Sequence, residues 1–278
     1  MTTIIFNGKT LPSDHPCIKH SDRGFTLGHG LFETILIKKG TIPLLEYHWH
    51  RLETSAPLVG ISLPFSKQEL TEMLRALISE NNLQDNLASA RLTLTHGESA
   101  RGILPATPPS PNFVIAVFEY AHAPKAYYSA LITTIRKNEH TLAARVKSIS
   151  YLDNILAKQE ALSQGYDEAI LLNTALKVAD GAITNIFMVK SSNIYTPPIA
   201  DGALPGVVRR ILLEELKTKF PIREKSITYD ELLSADEVFL TNALMGIQPL
   251  SQINNKKYQG FSTSLGIAEW LKEVKNYI

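Results

Sequence analysis

The residues best suited to chemistry gather between Arg145 and Phe187. Lys147 offers an amine, with the aromatic Tyr151 four residues on. Asp180 offers a carboxylate in an Asp-Gly pair, followed by the hydroxyl of Thr184 and the amide of Asn185. An amine able to condense with a carbonyl and an acid able to keep a ring nitrogen protonated make a working pair for carbonyl chemistry. Plainer readings stand beside this one. A lysine picked blindly is a solvated surface cation, and it acts at neutral pH only when burial or a nearby cation holds it near neutrality. Asp180-Gly181 between apolar stretches is also the strongest short signal for a hairpin turn, which places Asp180 in a tight turn.

Three further stretches could complete such a site. Leu204-Pro205-Gly206-Val207-Val208-Arg209 turns the chain into a helix whose first N–H groups have no partner within it. Such a terminus binds a phosphate through backbone N–H groups and dipole, here at Val207 and Val208, although an ordinary turn-to-helix junction looks the same. Arg51 could clamp that phosphate with two parallel hydrogen bonds, or be a surface cation. Thr241-Asn242 follows a strand, where hydroxyl and amide could finish the cradle or merely shape a turn. His48 and His50 are spaced wrongly for one helix face, which speaks against a metal site.

The elements that must position these groups read as α+β. Asn7-Gly8 marks an opening hairpin. Phe32 to Ile37 reads as a strand, 45–59 as a helix, and Ser66-Lys67-Gln68-Glu69 as a capping box ahead of Leu70, Met73, Leu74 and Leu77 at helical spacing. Leu87 to Thr95 alternates as a strand, and Phe113 to Phe118 is a buried one. Beyond Pro124, strands at 131–135, 169–172, 187–189, 194–196 and 237–241 accompany helices at 150–164, 207–219 and 261–275. An edge-like strand that ends there, Pro124 and a new strand starting at Leu131 imply a smaller α/β domain over 1–120, a linker over 121–129 and a larger domain over 130–278 that carries Lys147. Gly28-x-Gly30 lacks a third glycine and opens no predicted helix, so a dinucleotide fingerprint is rejected.

Composition narrows the class. At 278 residues there is ample chain for a buried core. A formal net charge of +1 gives no global field for nucleic acid or an anionic membrane surface. One cysteine, Cys17, forbids an internal disulfide and fits a reducing compartment. No apolar run approaches membrane-spanning length and no signal-peptide pattern opens the sequence, so a cytoplasmic protein without nucleic-acid or membrane partners is expected.

Nearly end to end, these motifs resemble the fold-type IV (class IV) pyridoxal phosphate enzymes, which include branched-chain and D-amino-acid aminotransferases and aminodeoxychorismate lyase. The resemblance rests on Asp22-Arg23-Gly24-Phe25, Gly28-x-Gly30-x-Phe32-Glu33, His48-x-x-Arg51-Leu52, Lys147-Ser148-x-x-Tyr151-Leu152-x-Asn154, Gly181-Ala182-x-x-Asn185-Ile186-Phe187, Tyr195-Thr196-Pro197 and the run from Leu204 to Arg209. It implies a two-domain, D-amino-acid-aminotransferase-like fold, pyridoxal 5'-phosphate as cofactor, a small-molecule substrate and a homodimer. It implies Lys147 as the Schiff-base lysine and catalytic residue. Arg51, the Val207 and Val208 backbone and Thr241 become the phosphate cradle, Thr184 a hydroxyl near phosphate or substrate, and Asp180 the partner of the ring nitrogen. Arg101, Phe32 and Asn242 fall at substrate positions. Two departures stand out: the family usually has glutamate at Asp180, one methylene longer, and often threonine at Val208. Phe32 replaces the tyrosine usual in D-amino-acid enzymes. The run Thr241-Asn242-Ala243-Leu244-Met245-Gly246 resembles most the lyase branch, which releases 4-aminobenzoate and pyruvate. An aminotransferase and a catalytically idle cofactor-binding relative are the alternatives.

Overall fold

The computed structural model describes residues 2–15, 17–121, 125–275 and 277, apart from the Thr218 side chain. Residues 122–124, in the middle of the expected linker, lie outside the described set. Contacts divide the chain into two compact units, Met1–His122 with Lys147–Ser150, and Ala123–Val146 with Tyr151–Ile278. The Lys147–Ser150 segment therefore belongs by its contacts to the first unit, where the sequence placed it in the C-terminal domain. Long-range backbone pairing explains the difference, and pairing of that kind leaves no local signal.

The first unit contains β1 (Thr3–Phe6), β2 (Lys9–Pro12), α1 (Arg23–Leu27), β3 (Gly30–Lys38), α2 (Leu45–Ser55), α3 (Lys67–Glu80), β4 (Leu87–Thr95) and β5 (Asn112–Glu119). Its sheet runs β2-β1-β5-β4-β3, antiparallel throughout. Asn7 and Gly8 both take positive φ, 48° and 80°, so the opening turn is built as the Asn-Gly pair predicts. Alternation in β4 sends Ala88, Ala90, Leu92 and Leu94 into the core. The capping box of α3 forms in both directions, with Ser66 N–H donating to Glu69 Oε2 and Glu69 N–H to Ser66 Oγ. The helix expected over 45–59 ends at Ser55, and a 3₁₀ turn at Pro57–Val59 continues the chain, because a proline ring cannot enter a helix interior. The sequence reading missed α1, although its signals are plain: Asp22 Oδ1 accepts from the Gly24 and Phe25 N–H groups, and Gly28 closes the helix at φ 65°.

The second unit contains β6 (Tyr128–Lys137), α4 (Leu142–Arg145), α5 (Leu152–Ser163), β7 (Glu168–Asn173), β8 (Val178–Gly181), β9 (Asn185–Lys190), β10 (Asn193–Thr196), α6 (Val207–Glu215), β11 (Ile222–Glu224), α7 (Tyr229–Leu233), β12 (Glu237–Asn242), β13 (Gly246–Ile253), β14 (Lys256–Lys257) and α8 (Ser262–Lys275). Its main sheet follows the order β11-β10-β9-β12-β13-β6-β7-β8. The β9–β12 pair stacks Phe187 on Phe239 in register, ring centroids 4.9 Å apart, on one face of the sheet, while their strand neighbours Ile186, Val238 and Leu240 join a buried core on the other. The α6 helix stops at Glu215, short of the expected 219, and a 3₁₀ turn follows at Leu216–Thr218. The Asp180-Gly181 hairpin turn is corrected: both residues lie in β8, buried and paired to β7, and the chain bends at 182–184 instead. Sheet pairing to β7 outweighs the local turn preference there. β13 escaped notice because Pro249 interrupts its alternation, yet it pairs with both β12 and β6. No helix among the described residues is long and apolar enough to cross a membrane.

Candidate active site

In the first unit, β3 mounts the lysine segment. Phe32 N–H donates to the Lys147 carbonyl at 2.9 Å, Leu31 pairs with Ser148, and Ile149 N–H donates to the Gly30 carbonyl at 3.1 Å. Gly30 permits the approach, since a Cβ there would lie 2.4 Å from the Leu94 carbonyl oxygen. Lys147 is half-buried, its Nζ 4.2 Å from the centre of the Phe32 ring, and the Arg91 guanidinium lies 3.5 Å from the same centre. Two cations thus converge on one aromatic ring. The sequence reading missed Arg91. It alternates onto the same face of β4 as Thr93, which pairs with Phe32, and that register was the available signal.

One residue along β3, Glu33 faces α2. Its Oε1 accepts from Arg51 Nε at 2.7 Å, and its Oε2 accepts from Arg51 Nη2 at 2.5 Å and His48 Nδ1 at 2.7 Å. All three side chains are buried. Burial alone would raise the Glu33 carboxyl; the Arg51 guanidinium, then His48, outweigh it and bring the pKa down to about 2. Burial also holds His48 below its ordinary value, against the pull of Glu33, with Arg51 and Lys147 adding to the depression. Neutral His48 must then donate from Nδ1, because ionised Glu33 can only accept. Arg51, expected as a phosphate clamp, is in this structure the partner of Glu33. That pair spans two elements, so nothing local in the sequence announces it.

The second unit gathers the other predicted groups at the start of β9. Asn185 Nδ2 donates to Asp180 Oδ1 at 3.1 Å, to Oδ2 at 3.2 Å and to the Leu204 carbonyl at 2.8 Å. Leu204 N–H donates to Asp180 Oδ2 at 2.8 Å. Burial pushes Asp180 up to about 6, although Lys137, the Leu204 N–H, Arg209 and Asn185 all oppose it. Gly206 caps α6 from an extended conformation, and a Cβ on it would meet Asn185 Oδ1 at 1.8 Å. Asn185 pairs across the sheet with Thr241. The Val207 and Val208 N–H groups open α6, whose N-cap makes no side-chain bond among the described residues.

Thr184 Oγ1 and Thr241 Oγ1 are fully buried with no hydrogen-bond partner among the described residues. Buried hydroxyls are ordinarily satisfied, so two such orphans, with Asn185 linking the Thr241 strand position to the start of α6, suit an anion with several acceptor oxygens. This donor set fits a phosphate monoester. Asn242 Oδ1 accepts from the Leu244 and Met245 N–H groups at 2.9 Å, which builds the turn between β12 and β13. Arg101 stands on the exposed loop after β4, where it lines a cleft of about 420 Å³ together with Arg23, Thr26 and Gly102. Arg23 braces that loop by donating to the carbonyls of Gly102 and Ile103.

Comparison with known proteins matches this arrangement to one family. The model of Amino-transferase class IV covers residues 30–253. Aminodeoxychorismate lyase of Bacillus subtilis (strain 168) is 32% identical over 280 residues, covering 99% of this chain and 96% of that protein. D-alanine aminotransferase of Bacillus licheniformis is 30% identical over 254 residues, covering 91% and 89% respectively. The crystal structure of 4-amino-4-deoxychorismate lyase from Pseudomonas aeruginosa superposes with a TM-score of 0.87 at 26% identity, covering 99% of this chain and all of that one (100%). The α+β architecture is therefore that of the aminotransferase-like fold-type IV proteins, as the motifs implied, and the chain belongs to the Amino-transferase class IV family.

Proposed function

We propose that this protein is a pyridoxal 5'-phosphate-dependent 4-amino-4-deoxychorismate lyase that releases 4-aminobenzoate and pyruvate. The observation that carries the reading is a half-buried lysine amine over Phe32, on a segment held to β3 by two backbone hydrogen bonds, in a class IV chain. Similarity to the Bacillus subtilis lyase over 99% of the chain favours the lyase branch. The cofactor, when bound, accepts an electron pair from the substrate and returns it.

The chain's own residues divide the remaining work. The Val207 and Val208 N–H groups, Thr184 and Thr241 bind the phosphate. Asp180, ionised above about pH 6, keeps a ring nitrogen protonated. Lys147 Nζ removes the substrate ring proton next to the 4-amino group, and Phe32 shields that amine from water. The carbon–oxygen bond to the enolpyruvyl group then breaks, the ring becomes aromatic, and the departing enol takes a proton to become pyruvate. No amino acceptor is consumed.

Incubating the protein with 4-amino-4-deoxychorismate alone should give 4-aminobenzoate and pyruvate in equal amounts. A Lys147→Ala chain should give neither, and substantial pyruvate from it would overturn the assignment. The second reading, an aminotransferase, has support from the D-alanine aminotransferase relative. Glutamate formation from an amino acid and 2-oxoglutarate, without pyruvate from the chorismate derivative, would favour it.

A further inference from the structure

The loop that carries Arg101 rests on one buried side chain, and that side chain rests on a histidine. Arg23 on α1 donates from Nη1 to the Gly102 carbonyl at 3.2 Å and from Nη2 to the Ile103 carbonyl at 2.7 Å. On its other side, Arg23 Nε donates to His29 Nδ1 at 3.2 Å. The guanidinium is one rigid plane, so these bonds share a single orientation.

The partners of His29 fix its protonation state. Its Nε2 lies 2.8 Å from the Val59 carbonyl oxygen, which can only accept, so Nε2 carries a hydrogen. Arg23 Nε can only donate, so Nδ1 carries none. The neutral Nε2–H tautomer is the form compatible with both. His96 sits against the same ring, centroids 4.7 Å apart, and its N–H donates to the His29 carbonyl at 3.1 Å. His96 is buried, and its Nδ1 has no partner among the described residues. Burial, then His29 and Arg23, hold His96 below its ordinary value, against the pull of Asp22. The nearby carboxylates have work of their own. Asp22 accepts from the Gly24 and Phe25 N–H groups, Thr95 and Asn112, and Glu98 accepts from Lys19 and Ser21. Three basic groups thus share a pocket arranged for the guanidinium charge alone.

We propose that His29 is a proton-gated positioning residue: its neutral form holds Arg23 on the Gly102 and Ile103 carbonyls, and a proton on Nδ1 releases Arg23 and loosens the loop that carries Arg101. That proton sets an N–H against the Arg23 Nε–H and a second positive charge beside the guanidinium. Val59 anchors the far side of the ring, so the guanidinium is the part that turns, and its two carbonyl bonds go with it. The cleft lined by Arg23, Thr26, Arg101 and Gly102 is then a feature of neutral solution and is lost on mild acidification. The gate is independent of the reaction proposed above.

Trypsin cleavage after Arg101 reads the loop. The rate on the protein is divided by the rate on a free peptide of residues 97–106 at the same pH, which removes the protease's own pH dependence. Mass spectrometry identifies the cut. Between about pH 7.5 and about pH 5.5, the range in which histidines change charge, the ratio for the wild-type chain should rise about tenfold, the scale of one charge-assisted bond. His29→Asn keeps an acceptor near the place of Nδ1 and does not titrate there, so its ratio should stay level. A level ratio in the wild-type chain overturns the proposal. So does a His29→Asn chain that keeps the full rise, since another group then carries it. Acid unfolding of the whole protein would raise cleavage at lysines and arginines throughout, and that outcome overturns it as well. If His29→Asn gives no cooperative melt, Arg23→Lys is read in its place. Lysine lacks the planar fork, so cleavage should be fast at both pH values, and a rise like that of the wild type counts against the proposal.

Discussion

Glu33 in the first unit and Asp180 in the second are both buried carboxylates, and their environments move them in opposite directions. Glu33 meets a full guanidinium edge and an imidazole, and its pKa falls to about 2. Asp180 meets one amide side chain, one backbone N–H and cations acting from further off, and burial wins, at about 6. The lesson concerns partners, not depth. Direct charge-assisted bonds outweigh the loss of water, and neutral donors with remote charges do not. The hydroxyls continue the contrast. Both Glu33 oxygens accept from Arg51, and Oε2 also from His48, while Thr184 and Thr241 have buried hydroxyls with no partner among the described residues. One region is charge-balanced within itself; the other is built to receive charge.

The sharpest way to break this comparison is to neutralise each carboxylate and measure stability in urea. Glu33→Gln should cost about 3–5 kcal/mol at pH 7, because it strands a buried guanidinium. Asp180→Asn should cost far less at the same pH. Equal losses would erase the distinction.

A second, slightly smaller effect lies in pH. The folded pKa of Asp180 is raised, so the folded state holds its proton longer than the unfolded chain does. Its contribution is fully present below about pH 4 and is lost as pH rises to about 6, by about 3 kcal/mol for a shift of this size. The folded pKa of Glu33 is depressed, so its contribution is present above about 4.5 and lost as pH falls toward 2. Stability of Asp180→Asn between pH 4 and 6 should therefore stay flatter than that of the wild type, and an unchanged slope would refute the assignment.

The smallest effect sharpens the contrast in hydroxyls. Thr241→Val, of nearly the same shape, should stabilise the ligand-free protein by about 1 kcal/mol, since an unpaired buried hydroxyl carries a desolvation cost. Weaker binding of pyridoxal 5'-phosphate should accompany it. Loss of stability instead would mean that the hydroxyl already has a partner.

How much of this could be read from the sequence follows the range of each interaction. Asn7-Gly8, the Ser66 capping box and the alternation of β4 are local devices, and each was legible. The Asp180-Gly181 turn misled because a local preference yielded to pairing with β7. Arg51 stands out as a candidate in the sequence, but its bond to Glu33 is hidden there: eighteen positions separate the partners, and only the β3–α2 packing joins them. Thr184 stands out by family position and Thr241 also by its place at a strand end, while the observation that gives them meaning, unsatisfied burial, exists only in three dimensions. Asn185, which ties Asp180 to the start of α6, had been quoted as part of a motif and given no role.

The four residues from Lys147 to Ser150 close their hydrogen bonds on a strand more than a hundred positions upstream, while the chain on either side of them is counted with the second unit. A single scission near residue 123 would thus leave the N-terminal fragment without a stretch of its own backbone pairing. Expressed alone, that fragment would present the β3 groups at Gly30 and Phe32 to solvent. Adding back a short peptide spanning 147–150 would be the natural complement to it.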